Sequence, residues 1–201
     1  MKRLAEQYNG RVQSLDVLVR QAHPGGEYRP YRSDEEKLAS ARDYKRDEQI
    51  PWPVLVDDLA GTVHTTYGSM SDPVYLIDAG GHVAFYGMWT YAPKLREAID
   101  DLLAKGGHGI AAGGIDQTPH LTAAFVDGWR GVSRGGIGGL LDYELGVPGS
   151  ATLTFLGEQA KPLLASIVLR TTPLPMAANL GVAVGLLGLA VLGARRLRNG
   201  T

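Results

Sequence analysis

The chain has 201 residues, with 20 Lys and Arg set against 21 Asp and Glu, and a net charge of −1 at neutral pH. Charge so evenly balanced gives no electrostatic footprint for nucleic acid, and the length suits one to two domains. No cysteine is present, which excludes disulfides, thiolate metal sites and cysteine-based redox chemistry by the chain's own side chains and leaves the compartment open.

The opening "MKRLAEQY" places Met1, Leu4, Ala5 and Tyr8 on one helical face with no capping residue ahead of them. After the "YNGR" turn, Leu15, Val17 and Val19 alternate with Asp16, Leu18 and Arg20, a period of two that predicts a strand. "HPGGEYRPYR" breaks that pattern. Ser33 and Glu36 then stand at capping-box spacing before a helix through Leu38, Ala39, Ala41, Arg42 and Lys45. "IPWPVLVDD" predicts a short strand, "GTVHTTYG" a turn or weak helix, and "DPVYLIDAGGHVAFYG" a hairpin about Ala79-Gly80-Gly81. Leu95, Ala98, Ile99, Leu102 and Leu103 form the stripe of an amphipathic helix from Ala92 to Lys105, with Pro93 in its first turn.

The order helix, strand, helix, strand, short helix, hairpin, helix resembles the later part of the thioredoxin-like fold. "VLVRQAHPGGEY", Val17 to Tyr28, resembles the strand running into an "EAHPSDGW"-like turn in the iodothyronine deiodinase-like branch. "YGSMSDPVYLID" and "VAFYGMWTYAP" are similar to that branch's hairpin. The resemblance covers roughly residues 1 to 104. It implies an α/β fold, a thioredoxin-like three-layer sandwich that is incomplete, because the first strand and the redox motif would fall upstream of Met1. Losing a central strand leaves two rows of backbone N–H and C=O groups to be satisfied some other way. Either Met1 is internal to a longer chain, or a second polypeptide supplies the strand, or the remaining strands close up into a non-catalytic domain. The resemblance also places the branch's cis-proline at Asp72, whereas this chain has Pro73.

His23 is the one catalytic candidate, and it comes from the resemblance alone, which turns the equivalent histidine towards the active site. The plainer reading is a hydrogen-bonded histidine in a Pro-Gly-Gly turn. His64, His82, His108 and His120 lack metal-ligand spacing. Asp57 and Asp58 suit either a cation or, more simply, a solvated turn, and "AGGH" and "AAGG" lack the spacing of a phosphate loop. No metal and no cofactor are expected.

Residues 1–105 thus form the predicted thioredoxin-like domain, and the glycine-rich stretch 106–118 reads as a linker. Across 119–172, Leu121, Ala124, Phe125 and Trp129 make one helical stripe and Ile137, Leu140, Leu141 and Leu145 another, suited to a membrane surface or to packing on the domain. Residues 173–194 carry no charge and are followed by Arg195, Arg196 and Arg198 in the basic tail 195–201. That pattern predicts a transmembrane helix, a single-pass membrane anchor, with membrane lipid as a partner. Ala177, Gly181 and Gly185 line a face suited to a protein partner, and the open sheet offers a second such surface.

Two functions follow as expectations. One is a membrane-anchored, redox-inactive accessory or docking subunit of a membrane complex. The other is a truncated form of a thiol or selenol oxidoreductase whose nucleophile lies upstream of Met1.

Overall fold

The computed structural model describes residues 1–21 and 29–172. α1 (Lys2–Gln7) buries Leu4, and Tyr8 follows it into the same core. The Tyr8 hydroxyl donates to the Asp100 carboxylate at 2.6 Å; burial, then that bond, push the phenol up to about 12. β1 (Asp16–Leu18) pairs in parallel with β2 (Val54–Val56). α2 (Asp34–Asp47) connects them. Its cap is the one the sequence predicts: the Ser33 hydroxyl accepts the Glu36 N–H at 3.2 Å. The Glu36 carboxylate reaches back to the Arg32 N–H at 2.9 Å, and three acidic residues face the positive end of the helix dipole.

α3 (Thr62–Thr66) leads to a hairpin of β3 (Val74–Ile77) and β4 (Val83–Gly87). Their antiparallel register runs from Val74 opposite Gly87 to Leu76 opposite Phe85, then shifts so that Ile77 faces Val83. At the turn the Asp78 carboxylate accepts the Gly80 and His82 N–H groups, each at 2.9 Å, and Gly81 adopts φ +84°, where a side chain would be strained. α4 (Ala92–Ala104) then lays Leu95, Ala98, Ile99 and Leu102 on Leu76 and Phe85, forming the main core with Leu4 and Tyr8.

Residues 106–118 do not hang free as a linker. Ala111 is fully buried and its N–H donates to the Ala84 carbonyl at 2.9 Å, after which β5 (Ile115–Asp116) adds to β4 in parallel. Small residues suit this stretch because it runs tightly along a strand; glycine content alone does not distinguish that from flexibility.

Beyond it come α5 (Leu121–Asp127), α6 (Trp129–Ser133), α7 (Gly136–Gly146) and α8 (Ser150–Val168). α5 lies against α8 with Gly157 at the contact, where a Cβ would run into the Phe125 carbonyl. The Trp129 and Phe155 rings meet edge to face at 5.1 Å. Arg134 and Arg130 reach the Glu48 carboxylate at 2.6 and 3.4 Å, tying these helices to the end of α2. Residues Met1–Thr171 form one compact unit.

Two expectations are corrected. The incomplete thioredoxin-like three-layer sandwich does not form as one sheet: the order is β1-β2 in one sheet and β3-β4-β5 in another, because among the described residues no strand pairs with β1 and β3 together. The membrane-anchored, single-pass localisation and the α-helical membrane region also fail to find support. Among the described residues no helix is long and apolar enough to cross a membrane. α8, the longest, carries Glu158, Lys161 and Pro162. Residues 173–194 with Ala177, Gly181 and Gly185, the tail 195–201, and His23 lie outside the described residues.

The α5–α8 contact has a direct test. Gly157→Ala should lower unfolding stability by about 1–3 kcal/mol, the usual cost of forcing an extra carbon into a close-packed contact, measured by urea denaturation. Alanine is otherwise the better helix former, so a stabilised variant would show that the two helices do not meet at this glycine.

Candidate functional site

Alternation along each strand determines where its peptide groups point. In β1 the Asp16 N–H donates to the Pro53 carbonyl and the Leu18 carbonyl accepts the Asp57 N–H, so residues 16 and 18 face β2. Val17, between them, turns its N–H and C=O to the opposite side. In β4 the Tyr86 and Met88 N–H groups donate to Gly114 and Asp116 on the β5 side, so Phe85 and Gly87 face Leu76 and Val74. Tyr75 and Ile77 therefore present their peptide groups away from β4. Among the described residues no strand pairs with either of these edges.

Both edges line the same open cleft, of about 2670 Å³. That volume is well above the ~300–1,000 Å³ of pockets that enclose drug-sized ligands. α2 contributes Ala39 and Tyr44 to its walls, and α4 contributes Leu95, Ile99 and Leu102. Leu15, 52 % exposed, and Ile77, 44 % exposed, open into it together with Val63 and Tyr67. Tyr67 and Tyr75, both in the lining, meet edge to face at 4.8 Å, and Tyr75 continues to Tyr86 at 4.9 Å outside it.

Charged side chains of both signs also line the cleft, among them Arg3, Arg32, Glu48 and Arg134. The Tyr44 hydroxyl donates to the Asp16 carboxylate at 3.2 Å; burial and then the Asp16 charge drive the phenol far above its ordinary value. Asp72 opens into the same cleft. Neighbouring protein raises its carboxyl above the usual range, with the Asp16 charge adding to the rise and bonds from Thr90 opposing it, while the residue as a whole stays exposed. Neither Asp16 nor Asp72 has a Lys, Arg or His partner among the described residues. Trp52, 8 % exposed, stands in the cleft wall with its indole N–H unpartnered among the described residues.

The other residues singled out in the sequence have structural roles. Asp57 is buried, which pushes its carboxyl up, but N–H groups of His64, Val63 and Asp58 outweigh that and hold it below its ordinary value. With Asp58 accepting the Thr62 N–H and hydroxyl, the pair caps α3. His64 is buried with Nε2 3.0 Å from the Met70 carbonyl. His120 lies 2.8 Å from the Asp116 carboxylate and stacks on Tyr91 at 3.8 Å, outside the cleft lining. Among the described residues no group of three or more His, Cys, Asp or Glu is arranged to hold a metal. The cleft itself went unread at the level of residues. Its signal is the apolar side chain at every second position of both β1 and β3, on faces that alternation alone does not match to neighbours.

No family model, no curated protein and no solved structure matches this chain.

The raised Asp72 carboxyl gives a pH prediction. A carboxyl that binds its proton more tightly folded than unfolded subtracts stability as pH rises from the ordinary aspartate range through the raised value. Asp72→Asn should therefore raise Tm at pH 7, and the difference should vanish as pH falls below the ordinary aspartate value. Thermal unfolding across pH reads this directly; a variant destabilised at neutral pH would show that the Asp72 charge is compensated.

Proposed function

We propose that this chain is a non-catalytic docking subunit that holds an extended segment of another polypeptide in the cleft between its two sheets. The observation that carries the reading is the cleft itself: larger than the pockets that enclose small ligands, lined by exposed apolar side chains such as Leu15 and Ile77 among charged ones, and bordered by two strand edges that pair with no other strand among the described residues. Unpaired edges on a rigid scaffold are the usual means by which proteins add a peptide strand. Exposed apolar side chains gathered in one concave region mark interaction sites more often than they mark bare surface. The chain's lack of cysteine fits this role, since thiol chemistry is not available to its own side chains.

The test is a selection of displayed random twelve-residue peptides against the full chain, followed by affinity measurement on wild type and on Ile77→Asp. Ile77 is 44 % exposed, so the substitution leaves the fold intact while placing a charge in the cleft wall. Selected peptides should bind wild type and lose about tenfold or more on the variant, in line with the cost of setting a charge against a buried apolar contact. A selection that yields no binder, or binders indifferent to Ile77→Asp, overturns the docking role.

A further inference from the structure

Asparagine precedes glycine at Asn9-Gly10 and at Asn199-Gly200, the second pair lying outside the described residues. The order matters chemically, because the amide nitrogen of the following residue can reach the asparagine carboxamide carbon and close a five-membered imide. A Cβ on that residue crowds the approach, and glycine has none. Attack within one chain also gains the rate advantage of groups already held together.

The fold leaves each participant at Asn9-Gly10 open. The pair lies in the turn between α1 and β1, and both residues are exposed. Hydrogen bonds frame the turn on either side: the Asn9 N–H donates to the Glu6 carbonyl at 3.2 Å, and the Arg11 and Val12 N–H groups donate to the Tyr8 carbonyl at 2.9 and 3.0 Å. Among the described residues, neither the Gly10 N–H nor the Asn9 carboxamide makes a hydrogen bond. Gly10 adopts φ +76°, and a Cβ placed there would meet nothing within 4 Å, so the carboxamide has room to turn and water has room to enter. Asp127-Gly128 is the contrast, a pair capable of the same ring closure. There Lys161 holds the Asp127 carboxylate at 2.9 Å, and a Cβ on Gly128 would lie 2.4 Å from the Ala124 carbonyl oxygen.

We propose that Asn9 is a modification site, deamidating spontaneously in the folded protein with water as the only co-reactant. The Gly10 nitrogen gives its proton to solvent and attacks the Asn9 Cγ. The new N–C bond forms, the Cγ–NH2 bond breaks, and the amine takes up a proton and leaves as ammonia. Water then opens the imide at either carbonyl, giving aspartate, or isoaspartate with the main chain running through the former side chain. Both products set a negative charge beside the C-terminal end of α1, the end at which the helix dipole is itself negative. Isoaspartate also adds a backbone carbon directly after Tyr8, which is 1 % exposed and bonded to Asp100, so the change falls on the residue that seats α1 in the core.

The test incubates the folded full chain at neutral and at mildly alkaline pH and maps the tryptic peptide Leu4–Arg11 by mass and chromatography over time. Aspartate and isoaspartate should both accumulate, faster at the higher pH because the Gly10 nitrogen must lose a proton. The folded rate should lie within about tenfold of that of the same chain unfolded in guanidinium, a difference in barrier of at most about 1.4 kcal/mol. A folded chain that converts more slowly than that would show that the turn protects Asn9 and overturn the proposal. Aspartate without isoaspartate would overturn it too, since direct hydrolysis passes through no imide. Gly10→Ala should slow conversion about tenfold or more. Alanine is strained at this φ, so Asn9→Gln is the second variant: it moves the carboxamide one carbon further off and leaves the backbone alone. Conversion at the wild-type rate in either variant overturns the imide route.

Discussion

A strand holds its place through two rows of hydrogen bonds, and β1 and β3 each have one of them. Every peptide N–H and C=O must find a partner or stay in water, and a sheet with a strand at its centre settles this for both neighbours at once. Among the described residues β1 pairs only with β2, and β3 only with β4. That single constraint accounts for the division of the strands into two sheets, for leucine and isoleucine side chains standing open to a cleft, and for the shortness of β1. Short edges flanked by prolines and charges, as at Pro53, Pro73, Asp16 and Arg20, are the means by which proteins keep such edges from pairing indiscriminately.

The rest of the unit holds the two sheets where they are. α4 packs on the hairpin, and α1 adds Leu4 and Tyr8 to the same core, so the second sheet has a hydrophobic face of its own. The first sheet has less. α2 crosses it with Ala41 buried, the Lys37 ammonium donates to the Asp58 carbonyl at 3.0 Å, and the Lys45 ammonium to the Trp52 carbonyl at 2.6 Å. The helices from α5 to α8 join both regions through side chains that cross between them. Arg130 and Arg134 hold Glu48 at the end of α2, and the Arg3 guanidinium donates to the Leu169 carbonyl at 3.2 Å. Exposed ion pairs of this kind contribute little stability individually.

Much of the local structure was legible. Ser33 and Glu36 gave the start of α2 because a capping box satisfies orphan N–H groups within one turn and needs nothing distant. The stripe Leu95, Ala98, Ile99 and Leu102 gave α4 and its buried face, and Ala79-Gly80-Gly81 gave the hairpin. What sequence period does not contain is the neighbour. Alternation at Val17 or Tyr75 says that a strand has two faces, and is silent on which strand lies beside it, so the gap between β1 and β3 was invisible residue by residue. Composition misled at 106–118 for a related reason: glycine permits both a free linker and a tight run beside β4, and only the pairing of Tyr86 with Ile115 decides. Asp72 and Trp52 looked ordinary because desolvation and a missing acceptor are properties of surroundings.

These two residues are where the fold departs from what stability alone would select. A carboxyl raised above its ordinary value marks a charge that the folded state disfavours, and a buried indole N–H without an acceptor costs free energy as well. Proteins tolerate such groups where a partner completes them, because the same desolvation that penalises the free state strengthens the contact once it is made. The unpaired edges follow the same logic on a larger scale. Val17, Tyr75 and Ile77 all line one cleft, and among the described residues no strand pairs with either edge. A row of peptide groups without a strand neighbour forgoes pairing energy in the free chain and is also the kind of surface to which a strand is added, so the unpaired edges and the proposed docking role share one physical origin.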